Sequence, residues 1–253
     1  MTVQTCTFTI SFPANNRVRE SLFKLEDHFS GFQKPFTLVP LPADAPMELP
    51  RIVANSVHGH SQITICGNSA QLSTRFDEAY NHDVKKCIDY VRTKCKAILE
   101  AVSLLEGKSK NEPKFYFSGI TTILALDKSD GIENPVDYIS NKFIKCSTNL
   151  PIDEAQFRCA LVVDGKYYAN VLLQNSRTFL GAPDERGSFA GLSVSNEELQ
   201  VVLDVNDRYA FNHEANYYSS SDMVAGIADV VEDFAENYVI PFVKEGVLNY
   251  GDK

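Results

Sequence analysis

A chain of 253 residues with 44% hydrophobic side chains is long enough for two fused units of ordinary size and apolar enough to bury a core. Its net charge of −9 excludes a general nucleic-acid surface, because phosphate binding needs clustered Lys and Arg. No run approaches the roughly 18 apolar residues of a membrane span, and the opening MTVQTCTFTISFP has neither the basic region nor the apolar length of a signal peptide.

Residues 6–12 (CTFTISF) alternate and predict a strand, broken by Pro13. A helix is expected over 17–29, with Val18, Leu22, Leu25 and Phe29 inward, an Asn15 or Asn16 cap, and Gly31 at its end. The proline-rich stretch 35–50 suits an extended edge, not a central strand. Strands follow at 51–57, 61–66 and 70–76, separated by turns at His58-Gly59-His60 and Gly67-Asn68. The spacing of Cys87, Ile88, Val91, Cys95, Ile98, Leu99, Val102 and Leu105 predicts a long amphipathic helix over 82–106.

The polar stretch 108–113 (KSKNEP) reads as a linker. A strand is expected over 114–127, then a turn at 127–131. Asn134-Pro135 opens a short helix to 144, with Pro at its first position. Asp164-Gly165 turns a hairpin between 155–163 and 166–174, and 177–180 is a further strand candidate. Residues 181–196 form a glycine-containing loop. The chain closes with strand sequence around LQVVLDVN and a second long helix over 221–245, with Val224, Ile227, Val231, Phe234 and Phe242 on one side.

Both halves therefore read β-α-β(3–4)-α, and both long helices end in Glu-Gly. The expected fold is α+β, with repeats at 1–110 and 114–253 and antiparallel sheets each packed by one long helix, the halves joined about a pseudo-two-fold axis. This order resembles the duplicated architecture of the TATA-binding-protein type, related in outline to helix-grip folds. It is also similar to an uncharacterised prokaryotic family with two strand-rich, helix-ended halves. The resemblance lies in the order of elements and brings no functional residue with it. TATA-binding proteins bend DNA on a concave sheet with aromatic wedges and basic residues, and this chain lacks the charge for that.

Six cysteines are scattered without a CxxC pair, and no Asn-x-Ser/Thr acceptor occurs, so the expectation is a reduced, cytoplasmic protein with free thiols. His58 and His60, at i and i+2, could share one face of a strand as metal ligands, with Asp77, Glu78 or His82 as candidates for a third. The competing reading is a polar turn opened by glycine. Asp127–Gly131 has its glycine one place early for a calcium loop and reads as a turn. The long helices differ in charge: 82–110 holds seven Lys or Arg and four Asp or Glu, whereas 219–245 holds one Lys and six Asp or Glu. Lys85, Arg92 and Lys96 share one sector. The expectation is a homodimer in which this basic sector, Lys85, Arg92 and Lys96, meets the acidic helix of a second chain; the alternatives are pairing within one chain or solvated faces.

No G-x-S-x-G, P-loop or G-x-G-x-x-G pattern occurs, and aromatic residues are plentiful, with 16 Phe and 11 Tyr. The function expected is a non-enzymatic binding or interaction protein, without a cofactor, working through the sheet face or the cleft between halves. Its partner would be a protein or a small ligand. The rivals are a metal-assisted hydrolase at His58 and His60, and a nucleic-acid binder using the basic helix 82–110.

Overall fold

The computed structural model describes residues 1–42, 44–105, 115–126, 128–145, 148–248 and 250. The linker at 108–113, on which the division into 1–110 and 114–253 rests, lies outside these residues, as do Asp127 and Cys146.

The fold is α+β. The strands are β1 (Thr2–Ser11), β2 (Thr37–Leu38), β3 (Pro50–Asn55), β4 (Ser61–Cys66), β5 (Ser69–Arg75), β6 (Phe117–Leu126), β7 (Gln156–Val163), β8 (Tyr167–Phe179) and β9 (Val194–Asn206). They form one antiparallel sheet in the order β2-β3-β4-β5-β1-β6-β9-β8-β7. The expectation of a separate sheet in each half is thus corrected. The first strand of each half would otherwise leave an open edge of unpaired N–H and C=O groups. Here β1 and β6 pair with each other, from Thr2 opposite Ala125 to Ser11 opposite Phe117. Outward from β1 run β5, β4, β3 and β2, and outward from β6 run β9, β8 and β7.

A bulge in β1 between Val3 and Thr5 shifts its register against β6. One extra residue reverses the alternation, so Val3 points inward together with Cys6, Phe8 and Ile10. The long helix α2 (Val84–Leu105) lies over β1 and β5, burying the residues its periodicity marks from Cys87 to Leu105. The second long helix is less regular. It consists of α5 (Ser221–Asp233), a π turn at Phe234–Tyr238 and α6 (Val239–Glu245). Pro241 has no N–H, and its ring crowds the carbonyl four residues back, so a regular α ladder cannot run through it. Ser220 caps α5 by accepting from the Met223 amide at 3.3 Å. α5 covers β6 and β9.

The helix expected over 17–29 is a 3-10 turn, Val18–Ser21, followed by α1 (Leu22–His28), with Val18, Leu25 and Phe29 buried. α3 (Pro135–Ile139) begins as expected, the Asn134 side chain accepting from the Asp137 amide. β8 is one strand where a break was expected near 175, and β9 starts at Val194, so the loop expected over 181–196 is shortened to 180–193. Strand β9 stops at Asn206, and a short helix, α4 (Arg208–His213), follows it. No helix among the described residues is long and apolar enough to cross a membrane.

Cys6 of β1 and Cys87 and Cys95 of α2 sit in the core between that helix and the sheet and are free thiols. Burial pushes the Cys6 and Cys87 thiols up to about 12 and raises Cys95 further in the same direction. Each thus holds its proton more tightly folded than unfolded, where a thiol titrates near about 8.5. Their contribution to stability is complete below that value and is lost as pH rises through about 9 towards 12. At pH 8, a thiol reagent is therefore expected to reach these three only after unfolding. The melting temperature should fall as pH is raised above about 9, and a colorimetric thiol count with and without denaturant checks the first point.

Candidate functional site

The long helices pack on the face of the sheet that carries Phe8, Leu72, Ile120, Leu203 and Ala169. Period-2 alternation sends the intervening residues to the opposite face. That face is about 40 Å wide, taking nine strands at about 4.8 Å spacing.

Cross-strand register arranges this open face in rows. One row runs Asn55, Gln62, Ser73, Thr7 across β3, β4, β5 and β1. It continues through Thr121, Asp204 and Asn170 to Ala160 on the far strand. All but the last are polar, and neighbours bond directly. Gln62 Nε2 donates to Asn55 Oδ1 at 2.9 Å, and the Thr7 hydroxyl donates to Ser73 Oγ at 3.3 Å. The Asp204 carboxylate accepts from Thr121 Oγ1 at 2.9 Å and Asn170 Nδ2 at 3.0 Å, and from Asn206 Nδ2 of the adjacent row at 2.8 Å. Three donors hold it in one orientation. The row on the other side is apolar at its centre, with Ile123, Val202 and Leu172 side by side.

A recess of about 220 Å³ opens beside Asp204, at the start of β6. Gly119 lines it: a Cβ there would stand 2.9 Å from Asn206 Cβ and 3.2 Å from the Val205 carbonyl, so only glycine fits without movement. Thr9, Thr121 and Asn206 provide hydrogen-bonding groups. Arg208, at the start of α4, also lines the recess and lays its guanidinium over the Phe117 ring, 4.1 Å from the centroid. Phe211 meets Phe117 at 5.6 Å. A fixed acceptor, a stacked guanidinium and neutral amide and hydroxyl groups suit a ligand that both donates and accepts hydrogen bonds.

Behind this recess lies a buried polar knot. Asp207 is fully buried and accepts from the Ser118 amide at 2.7 Å, the Tyr217 hydroxyl at 2.7 Å, and the Ser219 hydroxyl. It ties the first residues of β6 to the turn after β9 and to the segment leading into α5. Burial, and then the bond to Asp207, hold the Tyr217 phenol in its protonated form well above the usual range. Neither Asp204 nor Asp207 stood out in the sequence. The signal for Asp204 was a carboxylate inside an otherwise apolar strand, LQVVLDVN.

The residues singled out from the sequence fall elsewhere. His58 and His60 are exposed on a recess between the β3–β4 turn and α2, and His60 Nε2 is 3.8 Å from Asp77 Oδ2. Asp77 is thus brought to His60. No group of three His, Cys, Asp or Glu side chains among the described residues is placed to hold a metal ion. Lys85 Nζ is 2.9 Å from Glu232 Oε1 of α5. Arg92 pairs with Asp229 at 2.5 Å and Glu232 at 2.9 Å. The charge segregation is therefore used inside the chain, helix to helix, and gives no separate reason for a homodimer or for phosphate binding by α2. Lys96 is exposed. In the 180–193 loop, the Asp184 carboxylate accepts from the Ser188 and Arg186 amides at 2.8 and 2.9 Å, which holds it below the usual carboxylate range. That carboxylate is spent on its own turn.

A scan against protein-family models matches none, and a search of curated proteins finds no similar chain.

Proposed function

We propose that this chain is a non-enzymatic binding protein that holds a polypeptide partner against the open face of its sheet. One observation carries the reading: the long helices occupy one face, and the other presents a cross-strand row of hydrogen-bonding side chains centred on Asp204. The chemistry of that row favours a polypeptide. It offers neutral donors and acceptors of the kind that match peptide groups, with an apolar patch at Ile123, Val202 and Leu172 alongside. A phosphate backbone would meet Asp204 and find few cations. The mirrored strand order about β1 and β6 supports a duplicated origin for the two halves, with the recess at their junction.

Selection from a displayed random-peptide library tests this. Wild-type protein should enrich peptides that fail to bind the double variant Thr7→Arg/Asn170→Arg, whose melting temperature should stay within a few degrees of wild type. A library that enriches nothing, or peptides indifferent to the double variant, contradicts the proposal.

A further inference from the structure

The recess beside His58 and His60 has a chemistry opposite to that of the whole chain. It measures about 510 Å³, within the range of small-molecule sites. His58, His60, Arg75 and Lys94 line it against a single carboxylate, Asp77, in a protein of net charge −9. Asp77 is turned to His60 at 3.8 Å. Among the described residues, neither Lys94 nor Arg75 has a carboxylate within ion-pair distance.

The walls are aromatic and already ordered. Lys94 Nζ stands 5.6 Å from the Tyr90 ring centroid and 5.9 Å from that of Phe32. Phe76 meets Tyr90 edge-on at 6.2 Å. The Tyr90 hydroxyl and the buried Thr74 hydroxyl each bond Ser61 Oγ at 3.0 Å, which fixes the tyrosine from its other end. A ring held at both ends loses little freedom when a ligand stacks on it. A cationic ligand would meet Lys94 and Arg75 as like charges. Inorganic phosphate would satisfy the ammonium and leave the rings uncovered.

We propose that this recess binds a small planar anion, an aromatic carboxylate whose ring lies against Phe32 and Tyr90 and whose carboxylate meets the Lys94 ammonium. The charge-assisted contact sets the orientation and the ring supplies apolar contact area. This site is distinct from the open face, and the two readings stand or fall separately.

The test is a titration followed in amide ¹H–¹⁵N spectra, with benzoate, 2-naphthoate and indole-3-acetate as probes and indole-3-acetamide and inorganic phosphate as comparisons. Saturable shifts are expected around Phe32, His58 to His60, Phe76 and Tyr90 to Lys94, with the amide and phosphate at least about tenfold weaker. Lys94→Gln should weaken the best carboxylate by about tenfold at unchanged melting temperature, whereas Tyr90→Phe, which keeps the ring, should stay within about threefold. The proposal is overturned if no carboxylate gives saturable shifts, or if the amide or phosphate binds equally well. It also fails if Lys94→Gln binds like wild type, or if the shifts gather at Thr121 and Asp204 on the open face.

Discussion

Val91→Asp is expected to leave the chain unable to hold its fold. Val91 is fully buried on the inner face of α2, midway along a helix that covers β1 and β5. Core neighbours on its own helix, Cys87, Ile88, Cys95 and Ile98, offer a carboxylate no charged partner. An aspartate there would have to be protonated at pH 7, about three units above its ordinary value, which costs about 4 kcal/mol. Losing the valine contacts and burying an unsatisfied hydroxyl brings the total to roughly 5–8 kcal/mol, comparable to the whole stability of a typical domain. Lys96→Asp is the control: it places the same side chain on the exposed side of the same helix and should melt close to wild type. A Val91→Asp protein that is soluble and melts normally would show that the helix face has been assigned wrongly.

Asp207→Ala is expected to cost about 3–5 kcal/mol, read as a lower urea midpoint. The carboxylate is fully buried, and its loss strips the acceptor from the Ser118 amide and from the Tyr217 and Ser219 hydroxyls in a place water does not reach. Ser118 Oγ and Ser219 Oγ, 2.8 Å apart, can bond each other, so part of the loss is recovered. Asp207→Asn keeps one acceptor oxygen and should fall between the alanine variant and wild type. A loss below about 1 kcal/mol in the alanine variant would mean that the knot is not a significant tie between β6 and the approach to α5.

Elements whose signals are local were legible in the sequence. The 3–4 spacing that marks α2, the Asn134 cap of α3 and the Asp164-Gly165 turn all depend on residues close in the chain, and they appear where expected. Asp164 and Gly165 both adopt positive φ, at 53° and 62°, as a tight hairpin turn requires. What depends on register between distant strands was not legible. Nothing in the β1 or β6 sequence says that they pair with each other, so the single sheet was read as two. The same limit hid the site, because Thr121, Asp204 and Asn170 become neighbours only through the pairing of β6 with β9 and of β9 with β8. The charges of Lys85 and Arg92 fit solvated faces or complementary packing, within the chain or between two chains. Their partners proved to be Glu232 and Asp229 of the same chain, because one continuous sheet brings α2 and α5 together.

Amide shift mapping with a peptide selected from the library shows whether the open face is where a partner sits. Shifts should concentrate on β1, β6, β9 and β8, at Thr7, Thr121, Asp204 and Asn170, and should be lost in the Thr7→Arg/Asn170→Arg protein. Shifts confined to the outer surfaces of α2 and α5, with the open-face amides unmoved, would contradict it.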